Sequence, residues 1–297
     1  DMIADLERIL SSNQHGTEAW HQTWDMLARL FEHDPNQVSQ AIELLERLTL
    51  SETAAVAVLT ALGSAGTEPA QAALLRIHTA ARMPGSLREG ATLAMAQLQR
   101  PNPALVAGLF KAIRSAPKLD SLSGSSLLVL GALAPRSSTP VGQQTATQQL
   151  LALEQRYRRM GKEDVWLQAL GNSRDPAVAA RGIAFLSDQR PLVRVAAVAA
   201  LRSIPTAAAR QALIQRAVRD SDESVRIQAA DSLRVQGTRS ARRALRDVLL
   251  RDPSQHVRRA ALLALAGPLD AQTRTAIHAM AMNDKVEALR NLARDVL

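Results

Sequence analysis

The sequence predicts an all-α fold, a right-handed α-α superhelix of stacked antiparallel helix pairs. Three observations carry that prediction. Residue types recur at a period of 32 through the C-terminal third. The recurring apolar positions are spaced i, i+4, i+8, which places them on one stripe of a helix. Hydrophobic residues make up 46 % of the 297 residues but aromatics only 2 %. A core of Ala, Leu, Val and Ile suits closely layered helices and suits a sheet sandwich poorly.

The period is the strongest of these signals, because a repeat decides the whole architecture. Asp188, Asp220, Asp252 and Asp284 form one column. Val193, Val225, Val257 and Leu289 form the next, followed directly by Arg194, Arg226, Arg258 and Arg290. Ala197, Ala229, Ala261 and Ala293 come after them, then Leu201, Leu233, Leu265 and Leu297. The Val, Ala and Leu columns mark one helix per unit, with the small residue in the middle letting a neighbouring helix approach. Leu213, Leu245 and Ile277 mark a helix preceding it. Each unit is therefore a helix pair that buries its apolar faces only by stacking on its neighbours. The Asp column falls at the turn between the two helices and suits helix capping. Arg six residues later falls near the start of the second helix. The pair predicts a structural ladder in which Asp and Arg of the same or adjacent units meet, Asp220 with Arg226 for example, because half-buried charges are usually paired. Leu297 falls on the last core column, so an array ending there has no polar cap and reads as a piece of a longer protein.

Upstream, helical periodicity continues without a fixed period. Helices are expected at about 17–32, 35–49, 51–62, 68–81, 86–99, 102–114, 121–134, 141–160, 163–170 and 176–186, punctuated by Gly63, Gly66, Pro84-Gly85, Pro101, Pro103, Pro117 and Gly171. Asp34-Pro35 and Asp175-Pro176 each read as an N-cap with Pro at the first helical position. Pro135–Gly142, rich in Ser, Thr and Pro, is the expected longer loop. The chain is read as one continuous α-solenoid over 1–297, irregular over 1–173 and regular over 174–297.

The Asp-x4-Val-Arg-x2-Ala-x3-Leu pattern over 188–297 resembles HEAT-type repeats. That resemblance implies a curved superhelix that binds other macromolecules along its concave face. A second resemblance covers about 51–235. Leu59-Thr-Ala-Leu-Gly-Ser-Ala-Gly-Thr67, Arg100-Pro-Asn-Pro-Ala-Leu105, Ser125-Ser-Leu-Leu-Val-Leu-Gly-Ala-Leu133 and Trp166-Leu-Gln-Ala-Leu-Gly-Asn-Ser-Arg-Asp-Pro176 stand in that order. They are followed by Val193-Arg-Val-Ala-Ala-Val-Ala-Ala-Leu-Arg202, and together they look like the helical domain of vitellogenin-type large lipid transfer proteins. That family implies an arch of two helix layers bracing lipid-enclosing sheets. This chain departs from it in having no Cys for its disulfides and no β-rich segment to wall a lipid cavity.

Composition narrows the function. The absence of Cys excludes thiolate metal sites and a Cys nucleophile. No apolar run approaches the roughly 20 residues of a membrane span. Of 36 basic residues only Lys111, Lys118, Lys162 and Lys285 are Lys, an Ala- and Arg-rich usage that suits a GC-rich genome. Nothing fixes a compartment; an extracytoplasmic part of a larger bacterial protein is one setting that fits. The net charge of +8 is uneven: 1–173 carry 15 basic and 16 acidic residues, 174–297 carry 21 and 12. Such asymmetry points either to arginines solvating outer helix faces or to an anionic partner.

No motif for catalysis or cofactor binding stands out. The histidines His15, His21, His33, His78, His256 and His278 lack the i, i+4 spacing of a helical metal site and read as surface or interface residues. Gly63-Ser64 and Ser123-Gly-Ser-Ser126 fit neither a nucleophile elbow nor a P-loop and read as helix ends or turns. Glu163-Asp164 and Asp222-Glu223 suit helix starts. Trp20, Trp24 and Phe31 read as the core stripe of one amphipathic helix. The sequence thus favours a non-catalytic scaffold that docks a protein partner or braces a lipid-carrying domain. The alternative is a nucleic-acid-binding solenoid using the basic half. A protein or lipid reading predicts Arg spread around the outer faces, and a nucleic-acid reading predicts Arg gathered on one concave face.

Overall fold

The computed structural model describes residues 18–48, 50–136 and 140–297, with the side chains of 18–21, 23 and 140–145 outside the description. Trp20, His15 and His21 therefore lie outside the described side chains. Every regular element among the described residues is helical, and none is a strand. Contacts divide the chain into two compact units, 1–153 and 154–297.

The first unit contains α1 (Glu18–His33), α2 (Pro35–Arg47), α3 (Glu52–Ala65), α4 (Glu68–Thr79), α5 (Gly85–Met95), α6 (Pro103–Ser115), α7 (Ser121–Leu133) and α8 (Pro140–Ala152). Odd helices stack on odd and even on even, giving two rows. Capping residues set the starts. Asp34 accepts from the Asn36 N–H with Pro35 behind it, Thr67 from Ala70, and Asn102 from Leu105 with Pro103 at the first position. Asp120 and Ser123 form a reciprocal capping box at the start of α7. Neighbouring pairs are tied by Gln71, which is buried. Its side-chain amide N–H donates to the Gly66 and Arg100 carbonyls, and its amide oxygen accepts from the Asn102 N–H.

The second unit contains α9 (Glu154–Arg159), α10 (Glu163–Ser173), α11 (Ala179–Ala184), α12 (Pro191–Leu201), α13 (Ala207–Arg219), α14 (Glu223–Gln236), α15 (Arg239–Arg251), α16 (Gln255–Leu265), α17 (Ala271–Asn283) and α18 (Glu287–Val296). The first helices of the pairs, α11, α13, α15 and α17, stack as one row, and α10, α12, α14, α16 and α18 as the second. The first helices of the regular pairs share an N-cap column 32 residues apart: Thr206, Thr238 and Asp270 accept from Ala209, Ala241 and Thr273 respectively. The expected core columns Val193–Ala197–Leu201, Val225–Ala229–Leu233 and Val257–Ala261–Leu265 are all buried. Leu297 departs from its column: it is 44 % exposed, with no further helix of this chain over it.

Several boundaries differ from the sequence reading. The expected helix at 141–160 is broken because Leu153 closes a tight turn, its N–H donating to the Leu150 carbonyl while its side chain stays buried. The expected helix at 176–186 is two 3-10 turns flanking the short α11. The loop expected over Pro135–Gly142 narrows to the undescribed 137–139 between a 3-10 turn and α8.

Gly63 and Gly171 interrupt no helix. Each lies in the last turn or turns of one helix, where the next helix of its row comes closest. A Cβ on Gly63 would stand 2.6 Å from the Ala94 carbonyl oxygen, and one on Gly171 would stand 2.7 Å from the Ala200 Cα. Both belong to the Leu-Gly segments quoted above, so that wording has a packing cause. Gly171→Ala should therefore lower stability by about 1–3 kcal/mol, overriding the gain of about 1 kcal/mol that Ala normally brings to a helix interior. Gly85→Ala, with open space around its Cβ, should be neutral or stabilising. Thermal melts of the two variants showing the opposite order would contradict the close-approach reading.

Candidate interaction surface

The turn columns lie deep between the two helix rows of the second unit. Each Asp carboxylate accepts the N–H two residues ahead: Asp188 from Arg190, Asp220 from Asp222, Asp252 from Ser254 and Asp284 from Val286. It therefore shapes the turn and does not cap the second helix. That cap falls two residues later, where Asp222 and Ser254 accept the first-turn N–H groups of α14 and α16.

The arginines join consecutive units. Arg194 donates from Nε and Nη2 to the Asp220 carboxylate at 3.1 and 2.8 Å. Arg226 does the same to Asp252 at 2.8 and 3.2 Å, and Arg258 to Asp284 at 2.7 and 3.0 Å. The remaining Nη1 of each donates to the backbone carbonyl of its own unit's Asp, at 2.9, 3.0 and 2.9 Å. Asp220 and Arg226 are thus joined through the Asp220 backbone, not through paired side chains as the sequence suggested. The carboxylate partners are 26 residues apart, because the turn of one unit packs beside the second helix of the unit before it. The carboxylates are nearly sealed, with side-chain exposures of 1, 4 and 5 %. Burial alone would raise the Asp220 and Asp284 carboxyls, but hydrogen bonds from Arg194, the Asp222 N–H and Arg216 on one, and from Arg258 and the Val286 N–H on the other, hold both below the ordinary carboxylate range.

The ladder changes character at its ends. Asp188 meets Arg190, which also reaches Glu163 at 2.9 Å; the position 26 residues before Asp188 is the exposed Lys162. Arg290 keeps its bond to the Asp284 carbonyl at 2.7 Å.

The outer faces of the two rows differ. Helices α13, α15 and α17 carry nine Arg and one acidic residue, Asp247. Arg242 and Arg246 lean on Asp270 at 3.3 and 3.7 Å, and Arg216 reaches Asp220. Arg219, Arg239, Arg243, Arg251 and Arg274 are exposed and make no ion pair among the described residues. Helices α12, α14, α16 and α18 carry seven Arg and four acidic residues. Three of those Arg are the ladder residues, and Arg234 shares Asp231 with Arg202. The surplus charge is therefore not spread evenly but lies on the first-helix row. On that row Val218, Leu250 and Met282, again 32 apart, are 46, 48 and 62 % exposed. A groove of about 340 Å³ runs beside them, lined by Val218, Arg219, Asp247 and Arg251.

The buried polar groups assemble no active site. His78, which the sequence reading placed at a surface or interface, is buried where α4, α5 and α7 meet. Its Nδ1 lies 2.9 Å from Thr92 Oγ1, and its Nε2 faces Ser126 Oγ at 3.5 Å. The Ser126 hydroxyl donates to the Leu122 carbonyl at 2.6 Å, so its proton is committed to the helix backbone, and no carboxylate orients the ring as an activated nucleophile requires. Burial and the nearby Arg88 charge lower His78 to about 4, which keeps it neutral near pH 7. His33, His256 and His278 are exposed. Glu163 starts α10 but is buried beneath Arg190. No group of three or more His, Asp or Glu among the described residues could hold a metal ion. No helix is long and apolar enough to cross a membrane among the residues described.

Residues 165–234 and 210–297 match the HEAT repeat family. Comparison with curated protein sequences finds no match. Among solved structures, lipovitellin, from work on its lipid–protein interactions, aligns with all of this chain and 32 % of its own at 16 % identity and a TM-score of 0.62. This chain thus spans about a third of that chain's length. An engineered protein aligns over 98 % of both chains at 14 % identity and a TM-score of 0.40. Human deoxyhypusine hydroxylase aligns over 89 % of this chain and 94 % of its own at 18 % identity and a TM-score of 0.35. The lipovitellin likeness bears on the fold, agreeing with the resemblance noted over 51–235, and the other two carry no argument.

Breaking a buried pair by removing one partner costs about 3–5 kcal/mol, because the other charge is left without compensation. Arg226→Ala and Asp252→Ala should each destabilise by about that much, with a double mutant milder than the sum by about 1–3 kcal/mol. Simple additivity would mean that the two side chains do not interact. The depressed Asp220 and Asp284 carboxyls contribute stability above the unfolded carboxyl value of about 4 and lose it as pH falls through their folded values. Wild-type stability should accordingly drop on acidification below about pH 4 more steeply than that of Asp220→Asn.

Proposed function

We propose that this chain, which carries HEAT repeats over 165–297, is a non-catalytic scaffold that docks a protein partner or an adjoining domain. The observation that carries this reading is the first-helix row. Three consecutive units present an exposed apolar residue at the same repeat position, Val218, Leu250 and Met282, beside arginines that no carboxylate of the unit neutralises. Repeat arrays keep such positions exposed where a partner covers them. The likeness to lipovitellin adds the possibility that the docked domain is a lipid carrier, in which case the solenoid braces it and the lipid contacts that other domain.

Nucleic acid is the competing partner, since unpaired arginines suit phosphates. The aromatics argue against it. Tyr157, Trp166 and Phe185 are the aromatic residues of 154–297, and all three are buried. Trp166 packs at 5.5 Å on Phe185, whose ring also carries Arg158 at 4.5 Å. None is presented for base stacking, the usual platform for single strands.

Titration with duplex and single-stranded DNA, and with neutral and anionic lipid vesicles, tests the reading. A protein-docking scaffold should bind DNA weakly and without sequence preference, lose it by about 150–200 mM salt, and not sediment with either vesicle. Specific DNA binding surviving that salt with a steep log–log slope would make the nucleic-acid reading the better one.

A further inference from the structure

We infer that the partner segment seated on the first-helix row is an acidic amphipathic helix lying across α13, α15 and α17, with an apolar residue at every seventh position. This inference rests on the protein-docking reading above and adds the surface, the conformation and the charge of what docks there.

The spacing selects the conformation. Stacked helices lie about 8–10 Å apart, so anchors at the same repeat position of successive units recur at about that interval. An α-helix advances roughly 10.5 Å in seven residues, two turns that return the side chain to the same face. An extended strand covers about 10 Å in three residues, but three is odd, and every second anchor would point away from the row. A crossing helix therefore meets Val218, Leu250 and Met282 with one face, and a strand does not.

The charge selects the composition. On α15, Arg239, Arg243 and Leu250 are separated by four and seven residues and so share one face, and all three are exposed. Arg219 and Arg251 each follow an anchor directly. With the unpaired Arg274, five guanidinium groups rim the apolar column, against Asp247 alone. A helix with Glu or Asp flanking its apolar line would neutralise them, and a basic or neutral one would leave them desolvated without partners. The apolar column itself distinguishes this occupant from a nucleic acid, which offers phosphates but no matching apolar line. The second-helix row does not offer the same combination. Its exposed Leu192, Val235 and Leu263 fall in different columns, and Arg202 and Arg234 are already paired with Asp231.

The probe is a fluorescein-labelled helical peptide of about 22 residues, with Leu at every seventh position and Glu on either side, titrated against the full chain. A micromolar complex is expected, weakened roughly tenfold or more by Leu250→Ser and by Arg243→Glu, with helicity and melting temperature unchanged since both side chains are exposed. Leu263→Ser on the second-helix row should bind like wild type. A peptide of identical composition with its Leu spacing set to five should bind roughly tenfold more weakly. No binding at about 100 μM, equal binding of the two peptides, or an unchanged affinity of Leu250→Ser would overturn the inference, as would self-association of the chain that Leu250→Ser abolishes. If Leu263→Ser weakens the complex and Leu250→Ser does not, the protein-docking reading survives and this surface is the wrong one. If duplex DNA of equal charge displaces the peptide completely at physiological salt, the docking reading itself fails.

Discussion

Each ladder arginine holds two units at once. Its Nη1 bonds a carbonyl in the turn of its own helix pair, and its Nε and Nη2 grip the carboxylate in the turn of the next. A planar, permanently charged fork makes this possible; a lysine ammonium could not offer the same paired, fixed donors. The carboxylate is committed as well, since it also accepts the N–H two residues ahead and so fixes its own turn. Turn shape, unit spacing and register are therefore one coupled arrangement. The apolar columns supply the bulk of burial, but Ala and Leu pack in many registers, whereas a bidentate pair forms in one. That makes the ladder the specifying element of the second unit.

The ladder also decides what the surface carries. It takes Asp220, Asp252 and Asp284 out of solvent and spends them on second-helix arginines. The first-helix row keeps its nine arginines with little acid of its own. A charge excess that looks diffuse along the chain becomes a one-sided face once the pairs are drawn. The interior arginines are closed to any ligand, and the exposed ones on α13 and α15 adjoin the apolar column.

The repeat period made the second unit legible in the sequence, because five columns in four copies require the same environment each time. The core stripe followed from i, i+4, i+8 spacing alone. The pairing partner did not, since one-dimensional spacing cannot tell whether Arg226 leans back six residues or forward 26. The difference lies in how units stack. The exposed column at Val218, Leu250 and Met282 was also visible as a 32-residue recurrence, but Val, Leu and Met share no residue type, and exposure is not written in identity. In the first unit no period exists, and helices were read from punctuation. Punctuation misleads where Gly171 serves close packing and where Leu153 makes a turn without any breaker. The burial of His78 had no signal, because its partners Thr92 and Ser126 come from two other helices.

If the ladder specifies register, removing one rung should loosen the array locally while the rest of the second unit holds. Native-state hydrogen exchange on Arg226→Met resolves this directly. The account predicts that amides of α14, α15 and α16, and of the turn at Asp252, lose protection together, while those of α10 and α12, still joined through Arg190 and Arg194, keep theirs. Protection unchanged throughout, or lowered evenly from α10 to α18, would contradict it and leave apolar packing alone as the source of register.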